Sequence, residues 1–450
     1  MSSNQVKKIP YGISDFERVN DGQYYYFDKT NYISILEDLG SFLFLIRPRR
    51  FGKSLLLSML ESYYDIAKKD QFEEFFKNTA IKDNPTKERN SYLILKLNFS
   101  KVEPDLDEVK DSFEEHNQAA LYTFLRKYKK YFEDNFINEI ENYKSFAGKF
   151  DYLIQYCSLK GLKLYVLLDE YDNFANTILT NYGKEHYHNL THGSGFFRYF
   201  FNILKAATTD SGAALSRLFI TGVSPLTMDD VTSGFNIGTF ISLTPRVNEL
   251  LGLTDEDVRE ILRYYIDNGA IAKEDEEKHY QIMSQWYNNY QFCNIGSNIK
   301  KVFNTDMVLY YIRAVIELGC PPEKLIDVNV KTDYKKLKYL ITLDKKLNGN
   351  FDRLRNIINT GKINSEIVES FSVESLTDKD NFISLLYYFG LLTIRSGKLN
   401  IKEFSIPNLV IKNLYYGYIR EALKDVKKFK ILKEELEDAL ENMALKGNWQ

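Results

Sequence analysis

Cysteine is nearly absent from this 450-residue chain, which carries only Cys157, Cys293 and Cys320. Three thiols so widely separated make neither a disulfide framework nor a zinc site, and read as reduced thiols of a cytoplasmic protein. Long apolar runs are also missing. No stretch approaches the roughly twenty uninterrupted apolar residues of a membrane helix, and the start MSSNQVKKIPYG has no apolar signal core, so neither secretion nor membrane insertion is expected. Nor is there an excess of charge of either sign. Lys+Arg 59 against Asp+Glu 62 leaves a net charge of -3, which excludes a globally basic nucleic-acid binder while leaving local basic patches open. Aromatics, by contrast, are plentiful at 15% with 33 tyrosines, a bias of genome composition more than of function. The length exceeds what one ordinary core organises, so two or three domains are expected.

The most informative stretch is SFLFLIRPRRFGKSLLLS, Ser41 to Ser58. Phe42 to Ile46 is a short continuous apolar run, as expected of a parallel strand covered on both faces. Arg47 to Phe51 makes a loop, and from Gly52 onward Leu55, Leu56, Met59 and Leu60 recur at helical spacing. The first amides of that helix point back at the loop, where an anion fits. Gly52, Lys53, Ser54 and Leu55 are therefore candidate nucleotide-binding residues. Lys53 would reach the β- and γ-phosphates, and Ser54 would ligate Mg²⁺. The usual phosphate-loop pattern has glycine where this chain has Arg47. Arg49 and Arg50 could supply charge to the γ-phosphate or pair with surface carboxylates, and the first reading is preferred for their nearness to Gly52.

A second apolar run, Leu164 to Leu168, ends in Asp169-Glu170. An aspartate at a strand's carboxyl end can hold Mg²⁺, usually through water, and the carboxylate after it can polarise an attacking water. Asp169 is thus a candidate metal residue and Glu170 the candidate base, with Asp172 next in line. The alternative is a solvated turn after a strand. Two motifs in the right order on the right elements point instead to ATP and Mg²⁺.

The strings IPYGISDFERVNDGQYYYFDKTNYI, RPRRFGKSLL, YVLLDEYDN and RLFITGVSPLTMDDVTSGFNI resemble the predicted AAA-ATPase-like family, P-loop ATPases often fused to a C-terminal PD-(D/E)XK nuclease-like domain. In that family arginine at the Arg47 position is usual. The resemblance runs from about Lys8 to Leu253 and implies an α/β fold, a P-loop NTPase parallel sheet of order 5-1-4-3-2 flanked by helices. It also implies an extra strand between the two motif-bearing ones, here Arg217 to Gly222, with Thr221 where a polar sensor of the γ-phosphate would stand. The alternative for Thr221 is β-branched filling of a strand.

Candidate strands Phe42 to Ile46, Tyr92 to Asn98, Leu164 to Asp169, Arg217 to Gly222 and Thr239 to Leu243 alternate with helical patterns over Gly52 to Ile66, Glu108 to Tyr152 with interruptions, and Gly195 to Thr208. This is the alternation of a doubly wound sheet, which binds ligands at its strands' carboxyl ends. The expected organisation is a P-loop domain over 1-250, a helical lid over 251-355 opening with Thr254 as N-cap and Asp257 three residues later, and a winged-helix-like region over 356-424. In that region the helix FISLLYYFGLL precedes a hairpin turning at Ser396-Gly397. A packing subdomain is preferred there to a DNA-reading wing. A charged helix over 425-450 would lead toward a nuclease-like domain. No strand-borne aspartate followed by a Glu-x-Lys strand occurs between Leu253 and Gln450, so the chain is read as lacking that site, whether as a fragment or a natural form.

Other residues attract weaker readings. His186, His188 and His192 are read as a solvated loop rather than a metal site. Asp28 or Thr30 is expected to cap the following helix. Arg217 is not expected to act as an arginine finger. The function expected is an ATP-binding, ATP-hydrolysing protein coupling nucleotide state to a C-terminal effector, in DNA-related or defence processes. The alternative is a nucleotide-dependent switch or scaffold with little turnover. A DNA or protein partner through the C-terminal half, and an oligomer, are left open.

Overall fold

The computed structural model describes residues 6–209, 214–227, 238–293, 299–327, 349–398 and 400–425. At its centre is a five-stranded sheet built from β1 (Phe42–Ile46), β2 (Leu93–Asn98), β3 (Leu164–Asp169), β4 (Leu215–Gly222) and β5 (Thr239–Phe240). All pairings are parallel and the order is β2-β3-β4-β1-β5, the expected 5-1-4-3-2 read from the other edge. β3 is buried along its whole length and β1 along all but its first residue. Helices cover both faces of a parallel sheet, so its strands carry no polar side.

The last strand is shorter than expected. β5 stops at Phe240 because Ser242 turns its hydroxyl onto the amide of Ile46, 2.8 Å away, in place of a backbone partner. The helices Lys53–Tyr64, Val109–Lys127, Phe146–Leu159 and Phe196–Thr209 fill the intervals where helical spacing was read.

Beyond β5 come the helices Asp255–Asp267, Glu276–Tyr287, Thr305–Leu318 and Asn350–Thr360, the last running across position 355. The first opens with a capping box: the Thr254 hydroxyl accepts from the Asp257 amide while the Asp257 carboxylate accepts from the Thr254 amide. Each satisfies an orphan donor. A second sheet follows, β6 (Lys362–Ser365), β7 (Thr393–Lys398) and β8 (Ile401–Ser405), antiparallel in the order β6-β8-β7. Ser396 and Gly397 are not its turn. They pair with Glu403 and Lys402 inside the ladder, and the chain reverses between Lys398 and Ile401. Beyond residue 425, the expected C-terminal helix lies outside the described residues. Among the described residues no helix is long and apolar enough to cross a membrane.

Candidate functional site

Gly52 sits at φ 101°, in the left-handed region that glycine enters without steric cost. That turn lets the helix Lys53–Tyr64 start directly after the loop, its first carbonyl-to-amide bond running from the Leu56 amide to Gly52. The amides of its first turn have no earlier carbonyl to meet. They face a cavity of about 620 Å³ lined by Arg49, Arg50, Gly52, Lys53, Ser54, Leu55 and Glu170.

Lys53 is almost wholly buried, and its ammonium donates to the carbonyls of Arg47 and Pro48, both 2.9 Å away. Burial pushes it down to about 8, against the pull of Glu170 and Asp169. An ammonium has three donors, so two loop carbonyls do not exhaust it.

Across the sheet the two motifs meet. The Ser54 hydroxyl donates to Asp169 at 2.6 Å, and the Thr221 hydroxyl donates to the other Asp169 oxygen at 2.7 Å. One buried carboxylate therefore gathers residues from the loop, β3 and β4. Glu170 follows at φ 50°, a conformation rare for a residue with a Cβ, and its carboxylate accepts from the Asn173 side chain. That turn leaves Glu170 on the cavity wall. Asp172 goes elsewhere: it is buried and accepts from the Val223 and Ser224 amides at 3.2 and 2.7 Å, clamping the exit of β4. Burial raises its carboxyl above the ordinary value. Gly222 is required beside it, since a Cβ there would stand 2.3 Å from the Tyr171 ring.

Arg47 is a core residue. Its guanidinium donates to the carbonyls of Ser242 (2.5 Å), Ile46 (3.1 Å) and Val247 (3.3 Å) and lies 4.2 Å over the Phe292 ring. No carboxylate among the described residues pairs with it, and burial lowers it to about 10. Arg50, at φ 69°, forms an ion pair with Asp306 at 2.9 Å, so the charge read as phosphate-directed is tied to the helix Thr305–Leu318. Arg49 lines the cavity and works against the Lys53 charge.

The other wall of the cavity was not foreseen. The N-terminal segment contributes Pro10, Ile13, Tyr25 and Tyr26, and the helical region contributes Leu251, Leu253, Thr305 and Leu309. The Gly252 amide and the Thr305 hydroxyl both donate to the Phe51 carbonyl at 3.3 Å, fastening the loop from outside. Lys29, also on the cavity wall, pairs with Asp257 at 3.0 Å. Pro10, Ile13, Tyr25, Tyr26 and Lys29 had a signal in the first family-like string, whereas Leu251, Leu253, Thr305 and Leu309 lie in none of those strings and had no such signal.

Two smaller readings change, and the one on Arg217 does not. Asp28 and Thr30 accept from the amides of Ala80 and Ile81 at 2.6 and 3.1 Å, so they anchor a distant turn and not the helix that follows them. Asn31 takes the N-cap position without a side-chain bond. His186 and His188 lie on the helix Lys184–Thr191, with His192 at its end. His188 pairs with Glu374 and His192 with Thr191, and no metal-holding group of three occurs among the described residues. Arg217 binds Glu88 and the Gly40 carbonyl at the opposite end of the sheet.

A parallel sheet of this order, with a Gly-Lys-Ser helix start after β1 and Asp-Glu closing β3, defines a P-loop NTPase fold. Residues 10–232 match the family model described as predicted AAA-ATPase, and this part of the chain belongs to that AAA-ATPase-like family. A curated relative, an uncharacterized protein in the vnfD 5' region of Azotobacter chroococcum mcd 1, is 28% identical over 292 residues, 64% of this chain and 49% of that protein. The chain thus spans about half the length of that relative. Among solved structures, Cdc6p from Pyrobaculum aerophilum (11% identity, TM-score 0.31) covers 90% of this chain and 98% of its own. The Aeropyrum pernix ORC2 protein in ADPNP-ADP complexes (12%, TM-score 0.36) covers 88% and 93%.

Proposed function

We propose that this protein binds and hydrolyses ATP with Mg²⁺, and that the nucleotide's state is passed to the C-terminal part of the chain. The observation that carries the reading is the convergence of Ser54 and Thr221 on the two oxygens of Asp169, beside a cavity that also receives Lys53 and Glu170. Hard oxygen donors of this kind suit Mg²⁺. Ser54 would ligate the ion and Asp169 would hold it, usually through its waters. The ion supplies charge neutralisation between the phosphates.

Lys53 would leave its loop carbonyls to neutralise the β- and γ-phosphates, while the amides of Gly52 to Leu55 cradle them. Arg49 adds charge at the rim, and Arg50 holds the loop against Asp306. Glu170 takes the proton of the attacking water, and Thr221 senses the γ-phosphate through the same carboxylate that orders the ion. The apolar wall of Ile13, Tyr25, Leu251 and Leu309 offers a place for the base. In this reading 1-250 is the P-loop domain, 251-355 its lid and 356-424 a winged-helix-like module, in a cytoplasmic protein, and these 450 residues carry no nuclease site of their own.

The test is a purified protein assayed for phosphate release with and without DNA, alongside Asp169→Asn. Hydrolysis that persists at full rate in that variant, or that never needs Mg²⁺, overturns the assignment. Tight nucleotide retention with negligible release would favour a regulatory switch. Stimulation by DNA would support a DNA partner through the C-terminal half, and cleavage of DNA with Mg²⁺ or Mn²⁺ would reveal a second metal site.

A further inference from the structure

The back of the phosphate loop is a second interface. Arg47 has one carbonyl on the Lys53 ammonium and its guanidinium on the Phe292 ring. Phe292 in turn accepts, through its carbonyl, the Tyr387 hydroxyl at 2.9 Å. Pro48, the other acceptor of Lys53, lies against Gly390, where a Cβ would come within 2.8 Å of the proline ring at φ +75°. The neighbouring Gln291 amide donates to the Thr393 hydroxyl at 2.8 Å. Residues 387–393, the end of the helix Lys379–Tyr388 and the start of β7, are therefore packed on the two residues that hold Lys53 when no phosphate does.

We infer that Arg47 is a positioning residue that links the C-terminal module to Lys53, so that the module's docking and the occupancy of the phosphate site control each other. The inference rests on the nucleotide-site reading above. A triphosphate that draws the ammonium off Arg47 and Pro48 leaves two loop carbonyls without their donor. Buried carbonyls do not stay unpaired, so residues 47 and 48 must shift, and Pro48 has no slack against Gly390. The guanidinium resists being left behind: its three carbonyl partners lie on β1 and on the segment after β5, and its Nε makes no hydrogen bond to soften a displacement. A lysine here would keep charge but could not span three carbonyls and a ring face at once. Nucleotide loading thus loosens the contact between the loop and residues 387–393, and prior release of that contact frees Lys53 for phosphate.

Hydrogen exchange of residues 288–293 and 387–393, measured on the whole protein with and without ADPNP and Mg²⁺, tests this. In the natural chain, loading should speed exchange in both segments by about fivefold or more, as for a local opening. In Arg47→Met both segments should already exchange fast, insensitive to nucleotide, while affinity for ADPNP rises or stays level. A purely structural arginine would lower affinity together with stability. Tyr387→Phe, which removes a single hydroxyl, guards against a misfolded Arg47 variant and should give the same pattern in smaller degree, with Arg47→Lys falling between. Nucleotide that binds the natural chain without changing exchange in either segment overturns the link alone. Absence of binding by calorimetry overturns the nucleotide site and the link with it.

Discussion

The two ends of the central sheet are built from the same materials and behave differently. At the amino end, Arg217 lies between Glu88 and the Gly40 carbonyl, under Tyr64, and the Tyr92 hydroxyl also meets Glu88. At the carboxyl end, Asp169 takes two hydroxyls and Lys53 two carbonyls. Buried, partnered charge is common to both, so partnership does not mark a site. What differs is the space. The carboxyl end opens on the 620 Å³ cavity, with Arg50, Gly52 and Glu170 on its wall at φ 69°, 101° and 50°, whereas Asn90, at φ 50° beside Glu88, lines no such space. Strain of about 1–3 kcal/mol per non-glycine residue persists only where surroundings enforce it, and two such residues, Arg50 and Glu170, border this one cavity.

Substitutions at the two ends should therefore separate function from stability. The largest effect is expected for Glu170→Gln, which keeps size and can still bond Asn173 but removes the base. Turnover should fall by about 10²–10⁴-fold with ATP still bound, measured as phosphate release against nucleotide retention. Unchanged hydrolysis would move the base elsewhere, although Asp172 is already occupied by two amides.

Lys53→Ala should come next. Losing a charge-assisted bond of about 2–3 kcal/mol should cost roughly 30- to 150-fold in ATP affinity by calorimetry, with little change in melting. An equal affinity would mean that this loop is not the phosphate site.

At the other end, Arg217→Met should do the reverse. A fully buried carboxylate left unpaired costs about 3–5 kcal/mol, but Glu88 keeps a third of its side chain exposed, so a loss of about 2 kcal/mol is expected. Urea denaturation measures it, and ATP affinity should stay unchanged. A matching loss of affinity would erase the distinction between the two ends.

The smallest effect is one of pH. The folded protein holds the Lys53 proton less tightly, at about 8 against 10.5 in the open chain. Between those values the unfolded state carries more protons, so this residue's contribution makes stability rise as pH rises from about 8. A bound triphosphate favours the ammonium, so ATP binding should take up a fraction of a proton above pH 8 and weaken as pH climbs further. Calorimetry in two buffers of different ionisation enthalpy at pH 8.5 reads the uptake, and a zero buffer dependence would show that Lys53 does not meet the phosphates.

Much of this protein was legible along the chain. An apolar run before Gly52-Lys53-Ser54, another before Asp169-Glu170, and the Thr254 to Asp257 spacing each depend on neighbours a few residues apart, so periodicity and local chemistry determine them. The tertiary structure decided which of the polar groups near these motifs are held by protein partners. Arg50 is neutralised by Asp306, Lys29 by Asp257, and Asp28 reaches Ala80. Arg47 leaves the phosphate side altogether for Phe292. Those partners lie tens to hundreds of residues away, and a charge close to a motif in sequence looks the same whether its partner is a phosphate or a distant carboxylate. Only the folded chain brings those partners near enough for one of them to win.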